Sequence, residues 1–359
     1  MTPRRVLITG GAGFVGVAFA EAFRRDDTSV EVVAFDNLRR RGSELNLPRL
    51  QALGCDFVHG DIRSPGDLAA IRGDFDVMVE ASAEPSVLAG LDGANDYVIQ
   101  TNLVGTLNAL EFARHRVGAT VFLSTSRVYS LAPLRSLPLV EDSTRLVLRA
   151  GAAGPGWSED GITEDFATTT ARSLYGATKL ASELFVQEYV DSYGLRAVVN
   201  RCGVIAGPGQ FGKVDQGVFT LWVAHHHFGL PLRYIGFGGT GKQVRDLLHP
   251  QDLYVLTRRQ LDEIESIRGE VFNVGGGRKG AVSLQELTVL CQEATGGRVT
   301  IGNVPDSTGV DVPWFVTDAT RAQQRFGWAP KRGPRQIVEE IAGWIAENET
   351  SLRPLFVAR

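Results

Sequence analysis

Near its start the chain reads Val6-Leu-Ile-Thr-Gly10-Gly-Ala-Gly13-Phe14-Val15-Gly16, an apolar strand running straight into Gly-x-x-Gly-x-x-Gly. Few architectures accommodate that sequence. Gly10 permits a tight turn, Gly13 lets the backbone approach a pyrophosphate, and Gly16 lets the following helix pack closely on the strand. Phe14 and Val15 open that helix, so its amides and positive end face the phosphates. Asp36 closes the second apolar run, 20 residues after Gly16, where a carboxylate accepts hydrogen bonds from an adenosine ribose. A glycine triplet alone would be a plain tight turn; strand, helix and acid together point to a dinucleotide site. Asp36 would repel the extra phosphate of NADP, whereas Arg39, Arg40 and Arg41 would hold it. The carboxylate lies closer to the ribose, so NAD is the expected cofactor.

The rhythm beyond this turn sets the fold class. Strand-like runs at Arg5–Thr9, Val30–Phe35, Asp56–Val58, Val77–Glu80, Thr120–Leu123 and Ala197–Asn200 alternate with helical patterns. These lie near Phe14–Arg25, Ser43–Leu53, Pro65–Ile71, Asp96–Arg116 and Tyr175–Tyr193. Continuous rather than alternating apolar strands predict an α/β fold, a Rossmann-type doubly wound parallel sheet covered on both faces. Residues 1–200 read as the NAD-binding domain and 201–359 as a smaller mixed α/β substrate lobe, interleaved with the first. Between Ser130 and Ser173 the chain runs long without a clear period, as a functional loop or lid does. A closing helix is expected near Arg335–Glu347.

Composition removes other classes. A chain of 359 residues buries enough surface to need no metal or disulfide staple, and a net charge of −4 argues against a nucleic-acid partner. Cys55, Cys202 and Cys291 form no Cys-x-x-Cys pair, which suits a reducing compartment. The first strand begins at Arg4, leaving no room for a signal peptide, and no run approaches the ~20 apolar residues that span a bilayer. The expectation is a cytoplasmic protein with no membrane partner. His225-His-His227 are successive helix residues that point in different directions, so no metal is expected.

Tyr175-Gly-Ala-Thr-Lys179 opens an amphipathic helix, and a spacing of four puts phenol and ammonium on one face. The ammonium is expected to favour the phenolate, making Tyr175 a usable base for a sugar hydroxyl while a hydride leaves the same carbon. Thr125, just past the fifth strand, would bring its hydroxyl to the same place at the carboxyl ends of the strands.

With these residues in view, the chain resembles the extended short-chain dehydrogenase/reductases, the NAD-dependent nucleotide-sugar epimerases and dehydratases, over nearly its whole length. Gly10–Gly16, Asp61-Ile62, Asn102, Thr125, Tyr175 and Lys179 fall where that family puts its cofactor and catalytic residues. Phe35-Asp36-Asn37-Leu38, Phe57-Val-His-Gly-Asp61-Ile62-Arg63, Val214-Asp-Gln216-Gly217 and Gly241-Lys242-Gln-Val-Arg245-Asp-Leu-Leu-His249 are similar to the CDP-sugar 2-epimerase branch. The long segment before Tyr175 is also a feature of that branch. The resemblance implies NAD contacts at Gly10, Gly13, Phe14, Val15, Gly16, Asp36, Asn37, Arg40, Asp61, Ile62, Ala81, Ala83, Asn102, Tyr175 and Lys179. It implies a nucleotide-diphosphate sugar as substrate, with contacts at Glu80, Ser126, Arg127, Arg201, Gln216, Lys242, Arg245 and Asp311. Arg245 suits bidentate contact with a diphosphate; the alternative for Lys242 and Arg245 is a solvated charged turn. It further implies a homodimer built on Asp96–Arg116 and Tyr175–Tyr193, with Leu103, Leu107, Leu110, Leu184 and Phe185 either at that interface or in the monomer core.

Family comparison also excludes chemistry. Dehydratases of the group follow the catalytic Thr with Asp-Glu, and decarboxylases carry a Glu in the position of Arg127; here Thr125 is followed by Ser126-Arg127. What remains is oxidation to a keto-sugar and re-reduction from the other face, at C2 in the 2-epimerase branch or C4 in a 4-epimerase. A net ketoreductase and a catalytically silent NAD-binding protein are the other readings. The chain departs from the pattern at Glu80, usually His, which would touch cofactor or sugar or else form a structural salt bridge. Ser130 replaces a Gly and Leu174 a Pro. Thr308 stands where many relatives have a phosphate-binding Arg, a loss of ~1.5–3 kcal/mol of phosphate affinity.

Overall fold

A computed structural model describes residues 3–91, 93, 95–212 and 216–357. Seven parallel strands form its main sheet: β1 (Arg5–Thr9), β2 (Glu31–Asp36), β3 (Asp56–His59), β4 (Phe75–Glu80), β5 (Val117–Thr125), β6 (Ala197–Cys202) and β7 (Val271–Val274). They lie in the order β7-β6-β5-β4-β1-β2-β3. Strand order reverses between β1 and β4, and in open sheets the crevice outside the carboxyl ends at such a point binds ligands. Valines, isoleucines and leucines fill these strands because helices cover both faces. One face packs Val17, Phe19 and Phe23 of helix α1 (Phe14–Asp26) with Leu253 and Tyr254 of the helix Pro250–Asp262. The other packs Ala109, Leu110 and Phe112 of Gly105–Arg116 with Val186 of helix α2 (Leu174–Tyr193).

The expected helix over Asp96–Arg116 is interrupted. Asn95–Ile99 and Gly105–Arg116 are α-helical, but Gln100–Val104 forms a π segment, the kind of insertion that re-aims a side chain at a working site. Asn102 sits in it.

The smaller lobe is built from a mixed sheet of Val204–Ile205, Val244–Leu248, Ala281–Ser283 and Trp314–Phe315, and a pair of strands, Leu232–Ile235 with Ile301–Val304. Helices Val218–Phe228, Leu284–Thr295, Pro334–Glu347 and Glu349–Phe356 enclose a separate core around Trp222, Leu287, Ile341 and Phe356. The chain leaves the main sheet after β6, forms part of this lobe, and returns to lay down β7.

Residues 130–173 are not the irregular loop that their lack of period suggests. They hold the helix Leu131–Arg135 and two small hairpins, Leu139–Glu141 with Leu146–Leu148 and Trp157–Ser158 with Gly161–Ile162. Leu148, Ile162 and Phe166 are buried against Val244, Trp314 and Phe315, and backbone bonds run from Leu146 N to Lys242 O and from Ile162 N to Val316 O, both 2.8 Å. Strands of two or three residues are too short to show alternation, so their pairing is invisible locally. Among the described residues no helix is long and apolar enough to cross a membrane.

Candidate active site

The glycine turn closes on itself as the spacing requires. Gly10 has φ +64°, Gly13 N donates to Gly10 O at 3.0 Å, and a Cβ on Gly16 would fall 2.3 Å from Gly10 O. Only glycine lets α1 start this close to β1. The turn lines a groove of about 550 Å³ together with Phe14, Val15, Asp36, Asn37, Ile62, Ala81 and Ala83. Asp36 accepts from Ala12 N at 3.1 Å and Leu38 N at 2.7 Å, which fixes its carboxylate at the end of β2; burial pushes its pKa up. Asn37 donates to Asp61 at 3.0 Å, and Arg63 grips the same carboxylate at 2.9 and 2.7 Å, holding it well below the usual range. Asp61 thereby shapes the groove wall at Gly60 and Ile62, whereas its own side chain is committed to Asn37 and Arg63.

The three arginines after Asp36 line the same groove, each with a partner. Arg39 stacks 3.9 Å over Tyr97, Arg40 donates to Phe211 O at 2.7 Å, and Arg41 donates to Pro354 O at 2.6 Å. Leu355 and Phe356 of the last helix complete that end of the groove. Sequence reasoning missed these two, and also Tyr97, Gln210 and Phe211, because they come from elements far apart in the chain.

Thr125 ends β5, and Tyr175 lies in the first turn of α2, whose start is capped by Ser173 Oγ accepting from Gly176 N at 3.1 Å. The Thr125 hydroxyl faces the Tyr175 phenol and accepts from Arg127 N at 3.2 Å. The phenol is pushed up to about 12, chiefly by burial; Thr125 and the Arg127 charge pull it back, and Glu80 opposes them. This corrects the expectation of a phenol made acidic by Lys179. That ammonium is 1% exposed and lies 3.7 Å from Glu80 instead. Asn102 is fully buried, accepts from Glu84 N at 2.7 Å and donates to Glu84 O at 3.0 Å. It therefore fixes the segment after Ala81-Ser82-Ala83 that forms the groove floor.

Ser126, Arg127 and Arg245 line a small cavity with Val310, Val312 and Phe315. Arg245 donates to Asp311 at 2.7 Å and Arg127 lies 3.8 Å from the same oxygen, so two guanidiniums share one carboxylate. Burial and the Arg245 charge press Arg127 down to about 10. Gln216 lines the large groove; Val214 and Asp215 of the same motif lie outside the described residues.

Two sequence candidates do not join this group. Arg201 is buried at the end of β6 with Nε and Nη2 on Glu183 at 3.0 and 2.7 Å and Nη1 at 3.3 Å from the Tyr129 hydroxyl, which makes it a structural ion pair between β6 and α2. Lys242 donates to Glu141 at 3.1 Å and Asp142 O at 2.9 Å, tying a hairpin to the small sheet and lining neither cavity. The turn containing Thr308 does receive a guanidinium from elsewhere: Arg135 donates to Thr308 O at 3.1 Å and Asp311 O at 2.7 Å. The histidines diverge, His225 to Pro231 O, His226 to Trp222 O and His227 to Glu349.

Residues 6–275 match the model of the NAD dependent epimerase/dehydratase family. The chain belongs to that family. It is an enzyme of the NAD-dependent epimerase/dehydratases, and its residues fit NAD: the turn from Gly10 to Gly16, which closes only without a Cβ at Gly16, opens on the groove, and Gln216, whose buried Oε1 has no hydrogen-bond partner among the described residues, lines the same groove. Among relatives, CDP-paratose 2-epimerase of Salmonella typhi is 30% identical over 95% of this chain and 99% of its own. A dTDP-glucose 4,6-dehydratase of Streptomyces niveus is 28% identical over 98% and 95%. Among solved structures, a Thermus thermophilus UDP-glucose 4-epimerase in complex with NAD superposes with a TM-score of 0.75 at 25% identity, covering 95% of this chain and 99% of that one. Family membership thus spans epimerases and dehydratases alike.

Proposed function

We propose that the protein is a nucleotide-sugar epimerase, most similar in chemistry to the CDP-sugar 2-epimerases. The observation that carries this reading is Arg127. Where elimination needs an acid and a base beside the phenol, the chain supplies a hydroxyl and a guanidinium, and the nearby carboxylates are spent, Asp311 on two arginines and Glu80 on Lys179. Bound NAD supplies uptake and return of a hydride at one ring carbon, with a keto-sugar between the two halves. Once it has lost its own proton, the Tyr175 phenolate takes the proton of the sugar hydroxyl and, as the phenol so formed, gives it back; Thr125 orients that oxygen, and the Arg127 charge favours the phenolate. Arg245 and Arg127 face the sugar-diphosphate side, where guanidinium forks match phosphate oxygens. Asp36 receives the ribose, and the arginines that would otherwise favour NADP are held by Tyr97, Phe211 and Pro354.

In this reading the residues up to about 200 hold most of the dinucleotide, with Gln210, Phe211 and Phe356 closing its groove, and most of the sugar nucleotide lies against those beyond. A homodimer through α2 is part of the proposal: Leu184 is 61% and Phe185 39% exposed, Leu103 and Leu107 are partly buried, and Leu110 belongs to the monomer core. Three free, buried cysteines suit a reducing cytoplasm.

The test is turnover of CDP-, UDP-, GDP- and dTDP-sugars in deuterated water and with substrate labelled at C2 or C4. Inversion at C2 without accumulated NADH supports the proposal. Inversion at C4 replaces it with a 4-epimerase, net NADH consumption with a ketoreductase, and loss of water with a dehydratase.

A further inference from the structure

Glu80 ends β4 in the middle of the main sheet, opposite Thr9 of β1 and Phe122 of β5. It is 2% exposed, and neither carboxylate oxygen meets a hydrogen-bond donor at ordinary distance among the described residues. Lys179 Nζ lies 3.7 Å from one of those oxygens and 3.9 Å from the centroid of the Phe122 ring. Directly paired residues of adjacent strands thus hold one ammonium between a carboxylate and an aromatic face, a favourable site for a cation.

The other groups around this ammonium do not supply its counter-charge. From α2 comes Glu183 and from β6 Cys202, while Tyr175, one turn before Lys179 on α2, is itself faced by Thr125 and Arg127. Tyr175 is a neutral phenol and Cys202 a buried thiol. Glu183 is already neutralised by Arg201 and also bonded by Ser124 Oγ. Arg127 is a second cation, paired with Asp311. A buried ammonium without a carboxylate would shed its proton, and a buried carboxylate without an ammonium would take one up. Burial does press the two groups in those directions, each partly offset by the charge of the other.

We infer that Glu80 is a positioning residue, the counter-ion that keeps Lys179 protonated and docked at the end of β4. The inference rests on the epimerase proposal only where it speaks of turnover; the ion pair itself is tested without substrate.

In the full-length protein, a double-mutant cycle of Glu80→Gln, Lys179→Met and the pair, followed by urea unfolding, should show strong coupling. Each single change should lower the midpoint, and the second should restore most of the loss, because it removes the charge that the first left uncompensated. If Glu80→Gln alone does not fold and the double variant does, that is the same coupling in its extreme form; additive losses overturn the inference. The second readout is the pH profile of turnover. In Glu80→Gln the alkaline limb should move about one pH unit or more toward neutral, while Glu80→Asp keeps the limb where it was. A fall by one factor at every pH overturns the counter-ion role. If the unaltered protein turns over no sugar nucleotide and the cycle is still coupled, the epimerase proposal fails and the counter-ion stands.

Discussion

Replacing Tyr175 by Phe deletes the oxygen that meets Thr125 and would exchange the sugar proton. Turnover should fall by about 10²–10⁴, with NAD affinity, read by titration of the stripped protein, nearly unchanged. Asp36 tests the cofactor. Its two oxygens hold Ala12 N and Leu38 N, and Asp36→Ala should cut the preference for NAD over NADP at least tenfold, or about 1.4 kcal/mol, in paired binding titrations. Equal preference before and after would show that the arginines decide. Glycines 10, 13 and 16, Asp36 and Tyr175 were legible because each answers a local constraint, a positive φ, a close helix start, a spacing of four. Arg201 and Lys242 were misread because an arginine or lysine gives no sign of its partner. Glu183 lies 18 residues from Arg201, and Glu141 lies 101 from Lys242. The direction of the Tyr175 shift was missed because its chief cause is burial, which a spacing of four does not show. The carboxylate that claims Lys179 comes from a strand almost 100 positions earlier in the chain.

Elements carry the next set of constraints. Gly16→Ala places a methyl 2.3 Å from Gly10 O, so α1 must move off the sheet. The expected cost is about 1–3 kcal/mol in urea unfolding, with loss of the stabilisation that added NAD gives the unaltered protein. The segment 130–173 makes a different prediction. As a brace rather than a lid, it should protect the amides of Leu146 and Ile162 from hydrogen exchange, since both donate across to the small sheet; rapid exchange there would restore the lid. The main-sheet strands and the helices of the first 200 residues were readable because their periods persist for four residues or more. Hairpins with strands of two or three residues lack that run length, and the π segment around Asn102 has no period of its own, so tertiary pairing defines them.

At the scale of the whole molecule, charge ties the two lobes together. Asp311 meets Arg245 of the small sheet and Arg127 beyond β5, and these cations hold its pKa below the usual value although burial raises it. A lowered carboxylate contributes stability above its unfolded pKa of about 4 and loses it as pH falls through the folded value. Asp311→Asn should therefore be less stable than the unaltered protein at pH 7, and the difference should close as the pH is taken below about 4. The alternation of strands and helices foretold a parallel sheet, but nothing local revealed that its last strand comes from beyond the small lobe.

That return of β7 has a further consequence. A fragment ending at Cys202 would leave the β6 backbone bare along a sheet edge, a ready template for pairing between copies. Limited proteolysis between the lobes should consequently yield aggregate or degradation in place of a free nucleotide-binding half. Synthesis must pass Val274 before the sheet of the first half is complete.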